Sequence, residues 1–164
     1  MAKQLDGPYQ LKYIRPHHSV TLARLFRFAL DSDFTYYSPS YLEQTRRQNS
    51  AFRLALGCMR SSRLILGLWD DTELVGYIIG GTRPNQDCGD IFWLYIDPAH
   101  RGRGLGANLL TEAIHWLRLK KLSAVELVTY DHAEFYKRYD FKPERLAEGF
   151  IGGQDVYIMK RSLV

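Results

Sequence analysis

Apolar and polar positions change their period several times along the chain, and each change marks an element. YQLKYIRP (9–16) alternates with period two and ends at a proline, which predicts a first strand. In HSVTLARLFRFAL (18–30), Leu22, Leu25, Phe26 and Ala29 recur at helical spacing, with Ser19 placed as the cap. SDFTYYSPS (32–40) has no period and reads as an aromatic-rich loop. Residues 41–60 read as helix, but their many Arg and Gln leave only one face to bury. RLILGLWD (63–70) and ELVGYIIGGTR (73–83) are strands on either side of a two-residue turn at Asp71–Thr72, and NQDCG (85–89) is a second turn. DIFWLYID (90–97) is apolar on both alternating faces, the mark of a central strand. The helical period returns over 104–121, where Leu105, Leu109, Ala113 and Leu117 form one stripe. AVELVTY (124–130) is a strand, HAEFYKRY (132–139) a short helix, and GQDVYIMKRSL (153–163) a closing strand, with a short strand expected near Phe141.

The predicted order is β-α-α-β-β-β-α-β-α followed by two strands. Three consecutive strands with tight turns imply an antiparallel meander. The unit 90–130 implies a right-handed crossover and one parallel pair. The expected fold class is therefore α/β with a mixed, mostly antiparallel sheet around a central β-α-β crossover.

Composition narrows the function classes. With 164 residues, 46% of them hydrophobic, one domain spanning 1–164 with a proper core is expected. The net charge of +4 suits an anionic small ligand. It does not indicate nucleic acid, because 22 basic residues face 18 acidic ones and are dispersed. Two cysteines, Cys58 and Cys88, form neither a disulfide framework nor a metal motif, so no metal is expected. No membrane span and no signal peptide are expected, and a reducing cytoplasm is the expected compartment.

The densest signal is YIDPAHRGRGLGANLL (95–110). A plain turn needs one or two glycines, whereas this one alternates Gly102, Gly104 and Gly106 with Arg101 and Arg103 and then opens a helix. The first N–H groups of a helix lack intrahelical partners and, with the dipole, attract anions. Glycine lets such a ligand approach the backbone, and arginine adds charge-assisted bonds suited to phosphate. The pattern reads as a pyrophosphate cradle. GRGLGA also satisfies G-x-G-x-x-A, and Glu126 follows Gly102 by 24 residues, near the ~20 of a dinucleotide fingerprint. Against that reading, Asp97–His100 separate the glycines from the strand, the unit sits mid-chain after an antiparallel meander, and Glu126 falls inside its strand rather than at its end. A P-loop is excluded, since no Gly-Lys-Ser/Thr follows.

These residues resemble the GNAT superfamily of N-acetyltransferases, which use acetyl-coenzyme A. The match is R-x-x-G-x-G, here Arg101, Gly104 and Gly106, preceded by LYIDPAHRG. It extends to AEFYKRYDF (133–141), similar to the family's A-x-x-F-Y-x-x-x-G-F segment. Asp140 replaces the usual glycine before Phe141, a position where Asp tolerates a left-handed backbone. The asparagine often found at the end of the preceding strand is absent. The resemblance implies that acetyl-CoA is the co-substrate. Its pantetheine would lie along Leu94, Tyr95 and Ile96, bonded to the amides of Leu94 and Ile96. Its pyrophosphate would lie on Arg101, Gly102, Arg103, Gly104, Leu105, Gly106 and Ala107. Tyr136 matches the family's helix tyrosine that protonates the departing thiolate, and Asp90 stands where one branch of the family carries a glutamate base. The bland alternatives are an interfacial aromatic at Tyr136 and a turn-terminating Asp90. Glu73, His100 and His132 are further candidates for the base, as is a chain of water molecules.

The implied acceptor site is built from DSDFTYYSPS (31–40), with Phe34, Tyr36 and Tyr37, and from KPERLAEGFIGGQ (142–154). The implied partner is a small-molecule or peptide amine, with neither nucleic acid nor membrane, and a homodimer is left open. The implied reaction is direct attack by the amine in a ternary complex. A non-catalytic acyl-CoA-binding module on the same fold is the competing class, and a dinucleotide enzyme the third.

Overall fold

A computed structural model of the chain describes residues 2–5 and 7–164. One eight-stranded sheet organises it. The strands are β1 (Ala2–Gln4), β2 (Tyr9–Tyr13), β3 (Arg63–Asp70), β4 (Glu73–Thr82), β5 (Cys88–Ile96), β6 (Ala124–Thr129), β7 (Lys142–Ile151) and β8 (Gln154–Ser162). They lie in the order β1-β2-β3-β4-β5-β6-β8-β7. Every pair is antiparallel except β5–β6, which the helix α4 (Leu105–Leu119) crosses over to join. The helices α1 (Ser19–Ser32), α2 (Pro39–Gln48) and α3 (Ala51–Cys58) precede β3, and α5 (Ala133–Lys137) follows β6. The mixed α/β architecture is the one the hydrophobic pattern predicts.

Two cores sandwich the sheet. On one face Leu105, Leu109, Leu110, Ile114 and Leu117 of α4 are buried against Leu66, Leu68, Ile78 and Val125. Each such side chain contributes about 2 kcal/mol of hydrophobic burial. On the other face Leu22, Phe26, Ala29 and Leu30 of α1 and Leu54 of α3 pack on Ile65, Tyr77, Ile79 and Tyr95. No helix among the described residues is long and apolar enough to cross a membrane.

Several elements differ from the expectation. The helical run 41–60 is two helices, because Ser50 accepts a bond from the Arg53 amide and restarts the helix while the Asn49 side chain bonds back to the Thr45 carbonyl. Helix α1 begins at Ser19 itself, with His18 at the cap position and no side-chain cap. The short strand expected near Phe141 is the ten-residue β7, which takes in most of 142–154. As an edge strand it is exposed along most of its length, so it carries little apolar alternation. Asp71 and Asp140 both adopt the left-handed backbone that their turns require.

Candidate active site

The β5–β6 pair is incomplete, and this is what makes the site. β5 pairs with β6 only over Cys88–Ile91 against Ala124–Leu127. Beyond that point β6 pairs on with β8 through Thr129, while β5 pairs on with β4 through Ile96. A bulge adds to the divergence: Ile79 pairs with Trp93 and Gly80 with Ile91, so Phe92 is the extra residue. It also switches faces, since Ile91 packs in the α4 core and Trp93 on the α1 side. Glycine is required at position 80, where a Cβ would come within 2.7 Å of the Asp90 carbonyl oxygen.

The open edge of β5 therefore carries unpaired main-chain groups. The Asp97 amide donates to the Val75 carbonyl, on the β4 side. Main-chain groups alternate in direction along a strand, so those of Ile96 and Leu94 face the gap. The Ile96 carbonyl there accepts a bond of 2.9 Å from Arg101 Nε.

Helix α4 starts at the mouth of the gap. Gly104 occupies its cap position with φ 72°, its side-chain cap is absent, and its first turn holds no acidic residue. Its N-terminal amides are thus left for an anion. Gly102 has φ 77°, and no atom lies within 4 Å of the position a Cβ would take on Gly102 or Gly104. The left-handed backbone and the open space leave the peptide plane approachable, which fits a phosphate ligand. A Cβ on Gly106 would touch Ile96 and Phe135 at 3.8 Å, so the helix start lies between β5 and α5. Leu105 is buried beneath the loop, and Ala107 is half-buried.

The two arginines of the loop are engaged within the protein. Arg101 pairs with Asp33 at the end of α1 and lies over the Tyr95 ring. Arg103 donates to the Tyr9 hydroxyl at 2.9 Å. Sequence spacing gave no hint of either partner.

A cavity of about 790 Å³ runs from Gly106 and Ile96 through the gap to the α1 face. Tyr136 lines it from α5 and is buried beside Phe135 and Phe141. Burial, reinforced by the charge of Asp131, pushes the Tyr136 phenol well above its ordinary range, so it stays protonated. Tyr139, one turn on, does not line the cavity but faces a separate surface pocket with Arg118 and Arg161.

The loop between α1 and α2 and the β7–β8 turn meet over the cavity. The Ser38 amide donates to the Gly152 carbonyl at 3.1 Å, and Gln154 Nε2 donates to the Tyr36 carbonyl at 2.8 Å. Tyr36 stacks on Tyr130 at 4.4 Å, and Phe34 meets Trp93 edge-on at 5.4 Å. Burial, with Tyr37 adding to it, pushes the Tyr36 phenol far up.

Asp90 lines the far end of the cavity, but both its oxygens are taken. Arg83 Nε donates to one at 2.6 Å and its Nη2 to the other, while the same Nη2 bonds Glu126 at 2.8 Å. Lys160 reaches Glu126 at 3.2 Å and Glu144 at 3.7 Å. The result is a ladder of charges across β5, β6, β8 and β7. Burial pushes the Glu126 carboxyl up, but Arg83 and Lys160 more than offset it and hold it below the usual range. Asp90, a candidate base in the sequence beside its reading as a turn residue, lies in a doubly bonded ion pair with Arg83. The ladder itself is invisible in one dimension, since it depends on the register Asp90–Glu126–Lys160. Of the other candidate bases, His132 lines the cavity, His100 lies beside Tyr9, and Glu73 stands at the β3–β4 turn, at the opposite end of β4 from the residue paired with Asp90.

Known proteins share this architecture. A PaiA N-acetyltransferase from Thermoplasma acidophilum, solved in complex with coenzyme A, superposes with a TM-score of 0.78 at 23% identity over 94% of this chain and 98% of that one. The ribosomal-protein-S5-alanine acetyltransferase of Vibrio fischeri gives 0.78 at 14% identity over 99% and 96%. At these identities the likeness is one of fold. In sequence, an L-2,4-diaminobutyric acid acetyltransferase from Virgibacillus pantothenticus is 28% identical over 79 residues, which is 48% of this chain and 50% of that protein. The match thus spans about half the length of that relative. The description of the acetyltransferase (GNAT) family matches residues 23–141, from α1 through α4, the glycine turn and α5 to Phe141. The chain belongs to the GNAT family of acetyltransferases.

Proposed function

We propose that the protein transfers the acetyl group of acetyl-CoA to a primary amine by direct attack in a ternary complex. The observation that carries this reading is the gap between β5 and β6. It holds free main-chain groups along one side, an uncapped helix start at its mouth, and a cavity leading through the sheet to an aromatic loop.

Bound acetyl-CoA would supply an activated thioester. The α4 amides and the turn at Gly102 and Gly104 would hold its pyrophosphate, and the Leu94 and Ile96 amides would hold its pantetheine and polarise the carbonyl. Tyr136, kept protonated by burial, donates toward the leaving sulfur. The incoming ammonium must lose a proton first. Asp90 would have to break a bond to Arg83 to accept it, so we assign Asp90 to the ladder and the proton to solvent in the cavity. The aromatic loop and the β7–β8 turn would hold the acceptor.

The test is release of free thiol from acetyl-CoA in the presence of an amine panel. The relatives named for a diamino acid and for a ribosomal-protein alanine suggest its two ends: small diamines and diamino acids, and peptides with a free N-terminus. Turnover with any member, absent without the amine, is the expected outcome. Tight binding of acetyl-CoA without turnover across the panel would return the protein to a binding module.

A further inference from the structure

The glycine turn has a mechanical problem. Arg103 stands between Gly102 and Gly104, both left-handed, and no atom lies within 4 Å of where a Cβ on either would sit. Glycine loses more conformational freedom on ordering than any other residue, so this turn is expensive to hold still. What reaches out of it is the Arg103 side chain. Its Nη1 donates to the hydroxyl of Tyr9 at 2.9 Å, across 94 residues of sequence. Tyr9 is fixed: its ring is 4% exposed, in the α4 core, on a strand paired at both sides. Its hydroxyl also meets His100 Nδ1 at 3.1 Å, with the rings edge-on, and Asp70 lies 3.7 Å beyond that nitrogen. His100 closes the short 3-10 turn Pro98–His100, which leads directly into the glycines.

We propose that Tyr9 is a positioning residue for the cofactor. Its hydroxyl, steadied by His100, anchors Arg103 and so holds the 101–104 turn in the conformation that presents the first amides of α4. The inference rests on the cofactor reading of that turn. It differs from the expectation for Arg103 in one respect: the guanidinium acts chiefly through Tyr9, as a tether on the backbone, and not as an independent hand on phosphate. Releasing the tether lets the free turn sample conformations that do not bind. Apparent affinity then falls by the fraction of molecules still in the competent form.

The test is a double-mutant cycle on the full chain, read by calorimetric titration with coenzyme A and by steady-state kinetics with an amine from the panel. Tyr9→Phe keeps the ring and loses the anchor. The expected result is a Kd for coenzyme A weakened about fivefold, a raised KM for acetyl-CoA, an unchanged kcat at saturating cofactor and a melting temperature close to that of the parent. Arg103→Met should weaken binding by a similar factor, and the double variant should bind no worse than Arg103→Met alone. A Tyr9→Phe protein that binds within twofold of the parent overturns the proposal, as do two effects that multiply in the double variant. A lowered melting temperature with unchanged Kd does so too, since Tyr9 would then be packing alone. Parent protein that fails to bind coenzyme A takes down the cofactor reading itself and this inference with it.

Discussion

Removing Arg83 should make the protein's stability respond to mild acid, where the parent's does not. Arg83 bridges Asp90 and Glu126, which are direct neighbours across β5 and β6. The side chains are 34%, 16% and 19% exposed, so the cluster lies between a surface pair, worth under about 1 kcal/mol, and a buried one, whose breakage costs about 3–5 kcal/mol. Arg83→Met should therefore cost about 2 kcal/mol at neutral pH. In the parent, the depressed Glu126 carboxyl contributes stability that is fully present above about pH 4.5 and is lost as the pH falls through its folded value. In the variant, Glu126 keeps the burial that pushes its carboxyl up and loses the Arg83 bond that offset it, with a second carboxylate alongside, so its folded pKa should rise above the unfolded value. Such a group stabilises the fold only while protonated. That contribution is present below the unfolded pKa and is lost as the pH rises through the folded one. Between about pH 4.5 and 6.5 the parent's stability should be nearly flat, while the variant should gain stability on acidification by up to about 1.4 kcal/mol per pH unit. Urea melts at half-unit pH steps measure both curves. Parallel curves, displaced by a constant amount, would refute the claim that Arg83 is what holds the Glu126 carboxyl down.

Two further outcomes address the gap. Gly104→Val places a branched side chain at φ 72° with no atom of the protein within 4 Å, so it should cost about 1–3 kcal/mol of backbone strain yet leave the chain folded, while coenzyme A affinity falls at least about tenfold by calorimetry; unchanged binding would refute the cradle. Tyr136→Phe should scarcely move the melting temperature and should slow the chemical step by roughly ten- to a thousandfold with a much smaller change in KM for acetyl-CoA, whereas Tyr139→Phe, in the turn after α5 and facing a separate pocket, should be silent; equal mild effects from both would assign Tyr136 to packing.

The parts of this fold that could be read in the sequence are those in which one physical demand dominates the local composition. The α4 stripe of Leu105, Leu109, Ala113 and Leu117 is buried as its spacing requires, and the glycine turn announces itself because positive φ admits few other residues. β7 reads only as a short strand near Phe141, because an edge strand exposed on most of its length has no apolar face to display its extent. The apolar run of β5 reads as a strand but hides its bulge, since side chains that switch faces at Phe92 leave both faces apolar. The aromatic loop could be named as a candidate wall, but its docking on Gly152 and Tyr130 could not. The Arg83 ladder and the Tyr9 tether are further from reach. Each joins residues through strand register or across the whole chain, and neither leaves a periodic trace.

The division of labour across the gap bears on how far sequence can drift beneath this architecture. On the proposed reading, the cofactor side is held by amides at Leu94, Ile96 and the start of α4. Main-chain donors are indifferent to the side chains they carry, so long as the glycines stay. Two solved structures keep the fold at 23% and 14% identity, as that economy would allow. The acceptor side is different in kind. Tyr36, Arg145 and Phe150 line the cavity from the loop and the edge strand, where substitution disturbs least of the core. On the proposed reading, a change of acceptor needs only those positions to change, while the gap in the sheet, whose unpaired amides would be a liability in any other strand, stays as the fixed point of the fold.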